Sequence, residues 1–112
     1  MGHCYCADCR KASGAGFIPF ICFNRSQVKL TGQFKAHTTP VGNGREATRN
    51  FCLICGGLVF GGKPDSDASI NLYAGSLDEP ALFRPTVAIF ARGKPDWAPI
   101  PDGLKVFAGL PQ

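Results

Sequence analysis

Glycine and proline interrupt this chain so often that long helices are excluded. The 112 residues include 14 Gly and 9 Pro, and no apolar pattern with the period of a helix continues beyond two turns. Many short segments between Gly/Pro turns are typical of an all-β domain. We therefore predict one domain, residues 1–112, of short antiparallel strands joined by Gly/Pro-rich loops. The predicted strands are 17–23, 27–30, 33–37, 45–51, 58–60, 69–74 and 86–92, with 27–30 and 33–37 forming a hairpin.

Composition and charge narrow the class of protein. A hydrophobic content of 45% excludes a disordered chain, and no apolar run approaches the ~18 residues of a membrane helix. The net charge is +4, but the basic residues are scattered, whereas nucleic-acid binders concentrate them in a stripe or arm. This favours an ordinary solvated surface over a polyanion site. The first residues show neither the charged segment nor the apolar segment that is typical of a signal peptide, so we expect a cytoplasmic protein.

Three cysteines lie within six residues of one another near the start of the chain: Cys4, Cys6 and Cys9. In a strand, Cys4 and Cys6 project from the same face, and a turn after Cys6 returns Cys9 to the same point. Thiolates are soft ligands, and three that converge make most of a tetrahedral zinc site. The spacing predicts a metal site, with unligated core cysteines as the alternative.

A second motif, Cys52-Leu53-Ile54-Cys55-Gly56, is typical of a zinc knuckle, because glycine can adopt the positive φ that the tight turn needs. A redox pair is the alternative, although it expects a βαβ context that the chain lacks. Two cysteines are half of a zinc site. Cys22 lies between apolar residues and is predicted to be a small buried side chain. His3 adjoins Cys4 but should point to the other face of its strand.

The segment from His3 to Gly14 resembles the C-x-C-x-x-C-[RQ]-[RK]-x-[ST]-G motif of the glutathione-dependent formaldehyde-activating enzyme family, which is shared with centromere protein V. The cysteine knuckle follows at a family-like distance. Three later landmarks occur in the family's order. They are Gly75-Ser76-Leu77-Asp78-Glu79-Pro80, Phe83-Arg84-Pro85 and Pro95-Asp96-Trp97.

This resemblance implies a β-tent fold with two zinc sites. Cys4, Cys6 and Cys9 would hold the zinc regarded as catalytic. Cys52 and Cys55 would hold a structural zinc together with a second C-x-C motif, which this sequence lacks. We therefore expect about one zinc per chain, with Cys52 and Cys55 reduced and metal-free or joined in a disulfide. We also expect a homodimer that covers the strand edge left exposed.

The family's reaction joins formaldehyde and glutathione to S-hydroxymethylglutathione, and in reverse it is a carbon–sulfur lyase reaction. Three thiolates leave Zn²⁺ with a formal charge of −1, which makes it a poor Lewis acid and argues against a zinc-hydroxide hydrolase. A glutathione thiolate in the fourth position suits such a site better. Such binding would need cationic side chains to balance the metal site or to bind the glutathione carboxylates. Four basic residues are candidates for this role, and the alternative is that they are ordinary surface cations. These candidates are Arg10, Lys11, Arg45 and Arg49.

Two other classes of function explain part of the same pattern. A zinc-stabilised module that binds a protein or nucleic acid without catalysis accounts for all the cysteines of both motifs, and a thiol-redox protein accounts for Cys52 and Cys55. Tyr73 and Trp97 are candidates for a pocket wall, with core packing as the alternative. No residue stands out as a general base.

Overall fold

Eight strands form one continuous sheet in the computed structural model, which describes residues 1–42 and 44–111. No helix within these ranges is long and apolar enough to cross a membrane. Single turns of 3-10 helix cover Arg25–Gln27, Ala74–Ser76, Pro80–Leu82 and Ala91–Gly93. The main elements are β1 (Gly2–Cys4), α1 (Ala7–Ser13), β2 (Ile18–Asn24), β3 (Phe34–Gly42), β4 (Arg45–Cys52), β5 (Leu58–Gly61), β6 (Ser69–Tyr73), β7 (Val87–Ile89) and β8 (Lys105–Val106).

The all-β prediction is confirmed. The strand order is β3-β4-β5-β6-β2-β1-β7-β8, and five of the seven pairings are antiparallel, as predicted. The pairs β1-β7 and β7-β8 are parallel. The register sets Cys4, at the end of β1, between Ile18 of β2 and Ile89 of β7. The first cysteine is therefore held from both sides within the sheet.

The hairpin predicted over 27–30 and 33–37 is wrong. Side-chain bonds to the backbone hold residues 25–28 in a turn instead. The side chain of Gln27 accepts a bond from the Asn24 N–H at 2.9 Å, and the Arg25 guanidinium donates to Val28 O at 2.7 Å and to Pro64 O at 2.8 Å. These bonds compete with a strand ladder. β3 pairs with β4 instead.

Cys22 is exposed, so the prediction of a buried side chain is wrong. Its neighbour Ile21 is 7% exposed and takes the core-facing position of β2. Successive side chains of a strand point to opposite faces, so Cys22 turns outward. The hydrophobic run around Cys22 hid this alternation.

Residues near the end of the chain pack against the N-terminal motif. Tyr5 is fully buried and forms a core cluster with Ala88 and Ala98. Its hydroxyl donates to Pro99 O at 3.1 Å. His3 stacks between Phe17 and Phe83, with ring centroids 4.1 Å and 5.8 Å away. Burial lowers the pKa of this imidazole. His3 thus packs among aromatic side chains, in agreement with the prediction that it points to the face of β1 opposite Cys4.

Asn50 is a fully buried polar side chain that joins β4 to β5 and to the loop that follows β5. Its Nδ2 donates to Phe60 O at 3.1 Å and to Gly62 O at 2.8 Å. Asn50→Ala would leave both carbonyls without this donor, so we expect the free energy of unfolding to fall by about 2–4 kcal/mol. Urea unfolding checks this value. Asn71→Ala, at an exposed site on β6, is the control, and equal losses in the two variants would contradict the role of Asn50.

Candidate metal centre and its cavity

The three N-terminal cysteines meet where β1 ends and α1 begins. Their sulfur atoms all lie within 4.8 Å of one another, and the Cys9 Sγ lies 3.4 Å from the Cys4 Sγ. Within residues 1–42 and 44–111, this is the one group of three or more side chains with metal-binding atoms so placed. The predicted convergence of Cys4, Cys6 and Cys9 is therefore present.

The start of α1 produces this arrangement. Cys6 is the N-cap residue, with extended backbone, and its sulfur accepts a bond from the Cys9 N–H at 3.2 Å. This bond satisfies one of the free N–H groups of the first turn and fixes Cys9 relative to Cys6. The helix ends at Gly14, whose φ of 72° is left-handed. The turn predicted after Cys6 is thus a two-turn helix.

The sulfur positions fit a tetrahedral metal. Zn–S bonds of about 2.3 Å at tetrahedral angles place sulfur atoms about 3.8 Å apart, close to the spacing found here. Three such ligands leave a fourth position free. The donor set, three soft sulfurs at the wall of a cavity, fits a zinc ion with an open position better than a closed structural site.

The thiols influence one another strongly. Hydrogen bonds from Cys4 and then Cys9 lower the pKa of Cys6. The bonds with Cys6 and then Cys9, together with burial, raise the pKa of Cys4. Three thiolates this close together repel one another, so a cation is needed to hold all three sulfurs in the thiolate form.

A cavity of about 380 Å³ opens beside the three cysteines. Its volume falls in the range of small-molecule sites. Arg49 Nη2 donates to Cys9 Sγ at 3.8 Å, and Arg45 lines the same cavity. Three carboxylates also line it. They are Asp8, Asp67, which accepts a bond from the Lys63 N–H at 2.8 Å, and Glu46, which pairs with the Lys63 ammonium at 3.9 Å.

Two of the four cations predicted as counter-charges are thus in the cavity. Arg10 and Lys11 do not line it. Lys11 is exposed on α1, and the Arg10 Nε is buried without a partner among the described residues. Arg10 and Lys11 follow Cys9 at positions i+1 and i+2 of the helix. Residues with this spacing do not share a helix face with Cys9.

Tyr73 lies on the cavity wall, whereas Trp97 is 67% exposed. Burial raises the pKa of Tyr73 to about 12, against the opposing effect of the Arg49 cation. Gly61 makes room for this ring, because a Cβ there would come within 2.6 Å of the Tyr73 hydroxyl oxygen. Gly61 pairs with Arg49 in the sheet, so the close approach of Tyr73 to Gly61 brings the Arg49 and Tyr73 side chains to the same cavity. A glycine inside a strand can mark the close approach of another group. Gly61 is therefore the sequence feature that could have indicated a side chain packed at this point of β5.

The second cysteine pair forms a tight turn at the end of β4. Gly56 has φ 75°, and its N–H donates to Cys52 O at 2.8 Å. The Gly57 N–H donates to Cys55 Sγ at 3.4 Å. Backbone N–H groups of Cys55 and then Ile54 lower the pKa of Cys52. This turn has the predicted knuckle geometry and offers two thiols.

Comparison with known families agrees with the site. A model of the family described as "Glutathione-dependent formaldehyde-activating enzyme" matches residues 1–93. The match includes both cysteine motifs, Arg49 and Tyr73, and it ends before Pro95-Asp96-Trp97. A comparison with curated proteins gave no match.

Proposed function

The chain belongs to the glutathione-dependent formaldehyde-activating enzyme family, and we propose that it is a zinc-dependent carbon–sulfur lyase. Its substrates would be a glutathione-type thiol and an aldehyde, joined as S-hydroxymethylglutathione or a related adduct. The observation that carries the proposal is the convergence of three thiols and Arg49 at one small-molecule cavity. We further propose one domain over residues 1–112 and a cytoplasmic location.

The metal would be held by Cys4, Cys6 and Cys9. A zinc ion there would offer its fourth position to the substrate thiol and lower the pKa of that thiol. Four sulfurs around one zinc would carry a formal charge of −2, and Arg49, which is in contact with Cys9, is assigned to balance it. Arg45 lines the cavity and is assigned to a glutathione carboxylate, which a guanidinium can bind in a bidentate manner.

Tyr73 supplies the proton in this proposal. Its pKa of about 12 keeps the hydroxyl protonated at neutral pH. As the thiolate sulfur bonds to the carbonyl carbon, the electron pair of the C=O π bond moves to oxygen, which takes the Tyr73 proton. Tyr73 then regains a proton from solvent. In the reverse direction Tyr73 first loses its proton to solvent, and the tyrosinate then takes the hydroxyl proton of the adduct while the C–S bond breaks and its electron pair returns to sulfur.

A cobalt-loaded sample tests the thiol site. Adding glutathione is expected to increase the thiolate-to-cobalt charge-transfer absorption, because a fourth thiolate joins the three cysteines. S-methylglutathione, which keeps both carboxylates but has no free thiol, is the control and should leave the band unchanged. Arg49→Gln should raise the glutathione concentration at the midpoint of this titration on the order of tenfold, because it removes a charge-assisted contact.

No spectral change at millimolar glutathione would contradict both the binding mode and the lyase activity. The non-catalytic binding module would then be the better account of the same cysteines, since such a module has no reason to bind a thiol.

A further inference from the structure

The cavity beside the three cysteines has an apolar wall for which glutathione and formaldehyde supply no partner. Five side chains form this wall: Ile18, Phe20, Ile89, Phe90 and Leu110. Glutathione has no apolar side chain, since its carbon chains carry carboxylates, amides, an ammonium group and the thiol. The carbon of formaldehyde carries only hydrogen. The apolar wall is therefore available for a chemical group that neither molecule has.

The apolar wall lies on the side of the cavity where Cys4 is held. Cys4 pairs with Ile18 of β2 and with Ile89 of β7, and directly paired residues project from the same face of a sheet. Arg45 and Arg49 belong to β4, and the strand order places four strands between β4 and β7. The arginines and the apolar wall thus lie on different sides of the cavity.

Phe90 is held in a backbone conformation that is costly for a bulky residue. Its φ of 54° is the one positive φ at a residue other than glycine within residues 1–42 and 44–111. The Phe90 N–H donates to Gly109 O at 3.0 Å, and the Ala91 N–H donates to Phe107 O at 3.0 Å. Such strain persists only where surrounding contacts fix it, and it is concentrated at ligand sites. Here it sets an aromatic ring on the cavity wall.

The same backbone contacts bring Leu110 to the cavity. A third bond, from the Arg92 N–H to Ala108 O at 3.3 Å, continues the pairing of residues 90–92 with 107–109. Leu110 follows directly and lines the cavity with 53% of its surface exposed. Residues 107–110 also lie outside the part of the chain that the family model matches, residues 1–93. This side of the cavity is therefore built by a segment that the family model does not include.

We propose that the apolar wall binds the substituent of the substrate aldehyde, so that the preferred aldehyde carries an aliphatic chain or an aromatic ring. This inference rests on the proposed lyase function and names its substrate class. The steps are those given for formaldehyde: the thiolate sulfur bonds to the carbonyl carbon, the π electron pair moves to oxygen, and oxygen takes the Tyr73 proton. The product is an S-(1-hydroxyalkyl) adduct, with its alkyl group against Phe90 and Leu110.

S-alkylglutathiones test the apolar wall without turnover, because their alkyl group takes the place of the aldehyde carbon and its substituent. The measurement is calorimetric titration of the zinc-loaded full chain. Each CH₂ group that leaves water strengthens binding roughly fourfold, and a chain lying along a wall leaves water on one side only. S-hexylglutathione should therefore bind on the order of tenfold or more tightly than S-methylglutathione.

Three variants make this affinity ratio specific to the apolar wall. Leu110→Ala and Phe90→Gly should each lower the ratio roughly threefold or more, because each removes apolar contact surface. Glycine adopts a φ of 54° without strain, so Phe90→Gly removes the ring and keeps the turn. Leu110→Ala covers the case in which Phe90→Gly fails to fold. Leu82→Ala is the control, since Leu82 is also exposed, at 58%, but does not line the cavity.

Hydroxymethyl transfer from formaldehyde, measured on the same preparation, separates this inference from the proposed function. Transfer from formaldehyde together with equal binding of the two S-alkylglutathiones would overturn the role of the apolar wall and leave the lyase function standing. An affinity ratio that is the same in the wild type, Leu110→Ala and Phe90→Gly would do the same. Absence of transfer with both formaldehyde and hexanal would overturn the lyase function, and this inference with it.

Discussion

Cys6→Ser is expected to abolish metal binding at the N-terminal site and to lower the free energy of unfolding by several kcal/mol. Metal binding to structural thiolates contributes on the order of 10 kcal/mol, and a site with one ligand removed loses most of it. The wild-type protein should therefore melt at a much higher temperature with zinc than without, and the variant should show little difference.

Serine is the right replacement because Cys6 has two roles. Its sulfur belongs to the three-thiol cluster and also accepts the Cys9 N–H at 3.2 Å as the helix cap. A serine hydroxyl keeps the cap and removes the thiolate, whereas Cys6→Ala removes both and should cost about 1 kcal/mol more. Zinc per chain and thermal unfolding are the measurements, with Cys22→Ser as the control. Full zinc occupancy with an unchanged melting temperature in Cys6→Ser would show that the metal assignment is wrong.

The cysteine cluster was predictable because it is local. Cys4, Cys6 and Cys9 are close in the chain, so one strand end and one helix cap bring their sulfurs together without help from distant residues. The same holds for the turn at Gly56, whose positive φ follows from the motif itself. Local chemistry of this kind can be inferred from spacing alone.

The rest of the site depends on the register between strands, which spacing does not reveal. Arg49 contacts Cys9 from a strand 40 residues further along the chain. Tyr73 lines the same cavity because Gly61, which has no side chain, lets the Tyr73 hydroxyl approach the backbone of β5. Arg10 and Lys11 were predicted to be counter-charges because they follow Cys9 directly in the sequence, but neither lines the cavity.

Tyr73→Phe is expected to lower the enzyme-dependent rate of hydroxymethyl transfer on the order of a hundredfold or more, which is the usual contribution of a positioned proton donor. The ring remains to fill the wall beside Gly61, and the lost group is the hydroxyl alone. Exchange between free and hydroxymethylated thiol, measured by NMR with the uncatalysed exchange subtracted, gives the rate. The glutathione midpoint of the cobalt-loaded variant should stay at the wild-type value.

The other tyrosine is a matched control. Tyr5 is fully buried, and its hydroxyl donates to Pro99 O away from the cavity, so Tyr5→Phe should cost about 1 kcal/mol of stability and leave the rate near wild type. A structural defect in Tyr73→Phe would change both rate and thiol binding. A lost proton donor changes the rate alone, because binding of the thiol precedes any charge on the aldehyde oxygen. An unchanged rate in Tyr73→Phe, with the wild type active, would remove Tyr73 from the mechanism and leave solvent as the proton source.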